Sequence, residues 1–271
     1  HLDIRHVGKK KIDKKLPFVR ELTKNYVGID PVYEPIPVRP VVHYMMGGID
    51  TNIDCSTILP GLFAAGECAC VSINGANRLG SNSLTEILVY GARAGQAAAV
   101  FAAEHSEINL EALEKQGADE YKRITRDFLQ KDGGSERIAS LRKEMHQVME
   151  HSVDIFRSES GLKEACNKIE ELKDRFSSIL IEDKSLIFNT ELTSALELEN
   201  MIDVAESIIF SALSRRESRG SHQRTDFVNR DDENFLRHSL AYRTEAESRI
   251  EYQDVVITKW PPAERIYGKE E

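Results

Sequence analysis

No stretch of this sequence is long and apolar enough to span a bilayer, and no signal peptide can be read at its start. A Cys-x-x-Cys pair is missing too. The four cysteines are Cys55, Cys68, Cys70 and Cys166, and their one close pair, Cys68-x-Cys70, is poor spacing for metal ligands. They read as reduced thiols in a cytosolic protein. Basic charge is not in excess: 36 Lys and Arg stand against 45 Asp and Glu, a formal net charge of −9. That balance leaves no footprint for a nucleic-acid partner. Repeats and low-complexity tracts are lacking. The chain opens HLDIRHVGKKKIDKK, without Met and without a strand leading into a core. It reads as the middle of something longer, so a fragment is the expectation. What is present suffices for folding: 271 residues, 41% of them hydrophobic, are enough for one large domain or two small ones.

The periodicity predicts one helix within residues 10–27, with Leu16, Val19, Leu22 and Tyr26 on one face and Pro17 near its start. The stretch GIDPVYEPIPVRP holds four prolines, which forbid a helix and favour an extended crossing segment. A first domain boundary is expected near residue 38. Residues 39–65 read as short strands and turns, with LFAAG as a short buried strand ending at Gly66-Glu67. A helix from about Ser83 to Glu104 follows. Its Leu84, Ile87, Leu88, Gly91, Gly95 and Ala98 form an apolar face, and the small residues at four-residue spacing invite a close neighbour.

From about 108 to 218 the pattern is helical. One helix stops at Asp132-Gly133-Gly134. Ser135 is expected to cap the next, with Ile138, Leu141, Met145, Val148, Met149 and Val153 inward. Leu162–Phe176 gives a third. Residues 190–217 give the longest, striped by Leu192, Leu196, Ile202, Ala205, Ile209 and Leu213. Short loops suggest a bundle of three or four helices, whose Met and Leu stripes are core and not a cofactor box. After the polar break at Asn229–Asp232, RHSLAYRTEA and RIEYQDVVITKWPP alternate like two strands.

Four places could carry chemistry. Arg78 is the lone guanidinium in SINGANRLGSNSL, a run of small residues leading into a helix. Its planar fork matches a carboxylate, and the following helix N-terminus adds partial positive charge. An anion site and a surface Arg at a helix start both fit the residues. His43 ends an apolar segment before a Gly pair. It could donate to a carboxylate or be a satisfied half-buried His. Glu67, at the end of LFAAG, could bind ribose hydroxyls or be an ordinary loop acid. In ALSRRESRGSHQRTDF the cations of Arg215, Arg216, Arg219, His222 and Arg224 crowd around Glu217 and Asp226. The simpler account is a helix C-terminus whose cations complement the dipole, stopped by Gly220, with ion pairs to another domain.

The segments HYMMGGIDTN, GLFAAGE, NGANRLGSNSLTEILVYG, SRRESRGSHQRTDF, RDDENFLRHSLAYR and EYQDVVITKWPPAERIYG, in this order and across essentially the whole chain, resemble the C-terminal half of the flavoprotein subunit of fumarate reductase and succinate dehydrogenase. The LDIRHVG opening and the WPPAERIYG tail lean towards fumarate reductase. The L-aspartate oxidases share HY-x-x-GG and ESRG-x-H-x-R and remain an alternative, as does a non-catalytic helical subunit-interaction module for the chain alone.

The resemblance implies an α+β fold: a partial FAD-binding α/β domain, then a helical bundle, then a small C-terminal β-containing subdomain. It implies that residues 1–38 end a capping domain, 39–104 are the returning segment of the FAD-binding domain, 105–228 the bundle and 229–271 the last subdomain. His43 and Arg78 match residues that grip a carboxylate of the dicarboxylate substrate. Glu67 matches an FAD-binding acid, and Ser83 and Leu84 match positions whose backbone meets the flavin. The implied reaction is hydride transfer between FAD and fumarate or succinate. Electrons pass through an iron–sulfur subunit to or from quinone, as in anaerobic respiration. The proton-passing Arg, the Gly-rich dinucleotide fingerprint and the His that carries FAD covalently would lie upstream, so no catalytic residue and no metal ligand is expected within the chain. The implied location is cytoplasmic, peripheral on the inner face of the cell membrane through a membrane anchor subunit.

Overall fold

The computed structural model of the chain describes residues 1–105, 109–244 and 248–263. From residue 264 on, the ERIYG part of the tail lies outside them. The chain separates into two compact units, His1–His43 and Tyr44–Glu271.

In the first unit, α1 (Lys9–Lys15) and α2 (Pro17–Leu22) replace the single helix expected there, and a π-helical turn, Thr23–Val27, prolongs α2. The break falls at Leu16 (φ −134°, ψ 39°). Pro17 has no N–H for the helical ladder, and its ring disfavours α geometry in the residue before it. The inward side chain is Ile12, fully buried, whereas Tyr26 is 84% exposed. Arg20 ties this unit together, gripping Asp30 through Nε (3.0 Å) and Nη2 (2.6 Å). The proline-rich segment makes a turn at Asp30–Glu34 and then runs extended, with Ile36 exchanging backbone hydrogen bonds with Leu2 (2.8 and 2.9 Å).

The second unit opens with β1 (Ile49–Asp50) and β2 (Ala69–Cys70), a parallel pair. Gly48 allows it. A Cβ there would lie 2.5 Å from the Cys68 carbonyl oxygen, and its φ of +137° suits glycine alone. LFAAG is not a strand. Phe63 bridges Ser56, Ala64 and Gly66 are buried, and strand pairing begins only at Ala69.

Helix α3 (Asn82–Glu104) follows. One face packs on residues 55–66: the Cys55 thiol reaches the Tyr90 carbonyl (3.4 Å), Ile87 approaches Gly66, and Phe101 sits edge-on to Phe63. The glycine face behaves differently from the expectation. No described atom comes within 4 Å of a Cβ built at Gly91 or Gly95, and Leu84 and Leu88 are 61% and 74% exposed. The smooth face is there, but nothing described in this chain covers it.

The bundle comprises α4 (Leu110–Ile124), α5 (Ile138–Val148), α6 (Glu159–Phe176) and α7 (Thr190–Ser214), with β3 (Phe156–Arg157) between α5 and α6. Its core joins Leu141 and Met145 of α5, Leu162 and Ile169 of α6, and Leu198 and Ile209 of α7. Each such burial contributes about 1.5–3 kcal/mol. Ser135 does not cap α5. Residues 135 and 136 bond the backbone of 178–180 instead, so the helix starts two residues later, after Arg137 and without a side-chain cap. Asn189 and Ser158 do cap α7 and α6.

The chain closes with β4 (Gln223–Arg224), parallel to β3, then the short α8 (Asp232–Phe235), and then the antiparallel hairpin of β5 (Arg237–Tyr242) and β6 (Arg249–Asp254). This is the α+β order expected: a fragment of α/β character, a helical bundle and a small β-containing end.

Candidate functional site: the loop before α3 and its supports

The loop 72–81 connects β2 to α3. Ser81 stands at the helix N-cap in a left-handed conformation (φ 65°), and no side chain caps the helix. The first turn carries the partial positive charge of a 23-residue helix without a side-chain acceptor; the Asn82 and Leu84 N–H groups donate to the Leu79 (3.2 Å) and Ser81 (3.1 Å) carbonyls. Ser83 is half-buried and Leu84 exposed.

Arg78 is half-buried in this loop. Its guanidinium lies over the Tyr44 ring, 4.3 Å from the centroid, a cation–π arrangement. Nη1 donates to the Leu79 carbonyl (3.0 Å), the backbone N–H approaches the Met46 sulfur (3.2 Å), and Nε is buried without a hydrogen-bond partner among the described residues. A buried donor left unpaired costs about 1–3 kcal/mol.

Two side chains hold this arrangement from below. Glu86, one turn into α3 and only 3% exposed, accepts from the Tyr44 hydroxyl (3.1 Å) and from Asn74 Nδ2 (2.8 Å) through the same oxygen, Oε2. Burial first, and the Glu86 bond second, push the Tyr44 hydroxyl pKa up, so it stays a donor. Sequence reasoning passed over Tyr44, Asn74 and Glu86. An acid near the start of a helix ordinarily reads as a dipole partner facing water, and only the fold shows it buried.

Glu67 is exposed, and its Oε1 accepts the Met45 N–H (3.0 Å). Met45 and Met46 thus join Glu67 on one side to Arg78 on the other. His43 is exposed and ends the first unit, one residue before Tyr44.

The loop is fixed from outside by the Arg-rich segment. The Ala76 carbonyl accepts from Ser221 N–H (2.9 Å) and Ser221 Oγ (2.8 Å), and Ser72 Oγ meets His238 Nε2 at 2.7 Å. The Arg-rich segment is itself built on buried charge. Glu217, fully buried, bonds Arg215 (2.6 Å), Arg219 (2.8 and 3.0 Å) and the Asp231 N–H (2.9 Å). Arg224 grips Asp226 with two bonds (2.7 and 2.8 Å) and donates to the carbonyls of Ala212, Leu213 and Arg215. Those are the unpaired carbonyls at the end of α7, so a cation at the helix C-terminus is what the structure contains. The stop is not at Gly220, however. Helix α7 ends at Ser214, and Gly220 serves the contact with Ala76 instead.

His222 sits among these cations. Arg157 donates to its Nδ1 (2.8 Å), which leaves Nε2 to carry the proton and donate to the Arg215 carbonyl (3.0 Å). Burial first, and the surrounding arginines with it, push its pKa down to about 4.

Among the described residues no group of His, Cys, Asp and Glu could hold a metal ion, and no helix is long and apolar enough to cross a membrane. Cys55, Cys68 and Cys70 are free thiols.

Residues 142–267 match the model of the fumarate reductase flavoprotein C-terminal domain, and residues 1–84 match that of an FAD binding domain. The fumarate reductase flavoprotein subunit of Mycobacterium tuberculosis is 54% identical over 273 residues, a match covering 99% of this chain and 47% of that protein. The succinate dehydrogenase flavoprotein subunit of Rickettsia bellii is 37% identical over 288 residues, with 98% and 47% covered. A solved quinol fumarate reductase of Escherichia coli superposes with a TM-score of 0.94 at 48% identity, covering 99% of this chain and 46% of that one. The chain thus spans about half the length of the curated relatives it matches. Over nearly its whole length it is similar to a part of the fumarate reductase and succinate dehydrogenase flavoprotein subunits.

Proposed function

We propose that this chain works within a flavoprotein that interconverts fumarate and succinate, with Arg78 gripping a carboxylate of the dicarboxylate; His43, of the first unit, is proposed as a carboxylate-binding residue on the resemblance. The observation that carries the reading is the Arg78 guanidinium. It is held over Tyr44 with a buried, unpaired Nε, beside small residues that leave room for a ligand. Arg78 would pair with the carboxylate in two parallel bonds and fix its orientation. The loop and the bulk of Tyr44 would keep water from the paired groups, which strengthens them.

FAD fits the start of α3. That helix begins without a side-chain cap, its first-turn N–H groups suit the electron-rich edge of a ring system, and Ser83 and Leu84 would present their backbone there. Glu67, with one oxygen already held by Met45, has a second for a ribose hydroxyl. Bound there, the flavin supplies the two-electron redox chemistry of the reaction.

The domain assignment belongs to the same reading: residues 1–38 as the end of a capping domain, 39–104 as the returning segment of the FAD-binding domain, 105–228 as the bundle and 229–271 as the last subdomain. So do the partners, an iron–sulfur subunit and a membrane anchor that place the whole at the inner face of the membrane and connect it to quinone. The presence among its solved relatives of a quinol-fumarate reductase holding menaquinol molecules supports them.

Arg78→Gln in the full-length flavoprotein tests the reading. Dicarboxylate reduction should be lost while FAD stays bound. Turnover retained at the level of the unchanged protein would refute it.

A further inference from the structure

The site leaves one charged group unused. Glu86 is buried and lies one turn into α3. It touches no candidate ligand position, and its two bonds are both to groups that shape Arg78's surroundings. Tyr44 lies under the guanidinium, and Asn74 opens the loop that carries it.

We infer that Glu86 is a positioning residue for carboxylate capture: it locks the Tyr44 ring through its hydroxyl and the loop through Asn74, so that Arg78 is held in its gripping orientation before substrate arrives. The physical case has three parts. A long Arg side chain loses roughly 2 kcal/mol of rotamer freedom when it is fixed. If that cost falls on binding, affinity drops, whereas a side chain fixed beforehand spares it. A guanidinium over a ring is directed only if the ring itself cannot turn away, and Tyr44 has one polar atom to hold it, already bonded to Glu86 at 3.1 Å. Glu86 is also fixed where a flexible loop acid would not be, because a helix backbone carries it and its side chain is 97% removed from water.

The inference rests on the reading of Arg78 as the carboxylate grip, so the test separates the two. Fumarate is titrated into the oxidised full-length flavoprotein without an electron donor, and its Kd is read from the change in flavin absorbance. Arg78→Gln should weaken Kd by about 30-fold or more; if it stays within threefold of the unchanged protein, the reading of Arg78 fails, whatever Glu86 does. Given that loss, Tyr44→Phe, which keeps the ring and removes one oxygen, should weaken Kd about fivefold. Glu86→Leu should weaken it by tenfold or more. The double variant Tyr44→Phe with Glu86→Leu should be no worse than Glu86→Leu alone, because both break the same chain of contacts. Glu86→Gln keeps an acceptor oxygen and should stay within threefold. In turnover the loss should appear in KM, with kcat changed less than twofold. Kd values within twofold of the unchanged protein in both Tyr44→Phe and Glu86→Leu would overturn the inference, as would a Gln variant as impaired as the Leu variant. Should Glu86→Leu fail to fold or to retain flavin, Tyr44→Phe decides alone.

Discussion

The Cβ that Gly220 lacks would sit 2.5 Å from the carbonyl oxygen of Ala76. That contact joins the Arg-rich segment after α7 to the loop that carries Arg78, across 144 residues of sequence. It also explains the glycine. Its φ of +56° is left-handed, and the space for any side chain is already filled by backbone.

Gly220→Ala should therefore push the two loops apart and not merely strain one. The expected cost is on the order of 2 kcal/mol or more, seen as a lower thermal midpoint of the full-length flavoprotein. Because the Ser221–Ala76 bonds are lost with it, KM for fumarate should rise as well. A variant with unchanged midpoint and KM would show that the contact does not position the loop.

Glu217 is the fully buried acid that Arg215 and Arg219 share. Removing it leaves Arg215, 14% exposed, without a carboxylate and Arg219, 16% exposed, with that of Asp232 alone (2.6 Å). Breaking such a pair costs about 3–5 kcal/mol. Glu217→Leu should lower the urea midpoint far more than Glu233→Gln, which changes an acid on the exposed helix α8. Equal shifts would mean that the charge network adds nothing to the anchoring of the segment.

His222 makes stability depend on pH in a definite window. Its pKa falls from 6.5 to about 4 on folding, so between those values the unfolded chain binds a proton that the folded one refuses. Stability then rises with pH from about 4 to 6.5 and is flat in this group above that. The span corresponds to roughly 3 kcal/mol. Carboxylates act lower down: Glu144, held by Arg175 and Lys168 at about 2, loses its contribution only as pH drops below 4.5. His238, also lowered by burial, adds to the His222 effect in the same direction. His222→Gln can keep both bonds without titrating. The slope of stability between pH 4.5 and 6.5, measured by urea unfolding, should be clearly smaller in that variant. An identical slope would remove His222 from the account.

Much of this was legible from residue order alone. The periodicity of α5, α6 and α7 gave the bundle, because a helix must bury its stripe and Leu141, Ile169 and Ile209 fall on it. The hairpin of β5 and β6 followed from alternation. The single helix at 10–27 failed at Pro17, where a local rule outweighed the longer pattern. The cap at Ser135 failed because a partner 43 residues away, Ser178, took its backbone. At the candidate site, Arg78 could be picked out as a guanidinium among small residues. Tyr44, Asn74 and Glu86 could not, since their roles come from one buried oxygen where three separate segments meet. The close neighbour expected for the face of α3 that carries Gly91 and Gly95 is not found among the described residues.

That uncovered face leads to another expectation. A cofactor is held by enclosure on several sides, and Leu84 and Leu88 at the start of α3 stand open. The 271-residue chain purified by itself should show little flavin absorbance, whereas the full-length protein should carry FAD at one per chain. Stoichiometric, tightly held FAD on the isolated chain would mean that residues 1–271 complete the cofactor site alone.

The central claim, that Arg78 grips a substrate carboxylate, is tested most directly by the equilibrium Kd of fumarate for Arg78→Gln in the oxidised full-length flavoprotein. Losing one partner of a partly buried charge pair costs about 2–5 kcal/mol, so the affinity should fall by about 30-fold or more while the flavin content stays the same. A Kd within threefold of the unchanged protein, with flavin fully retained, would contradict it.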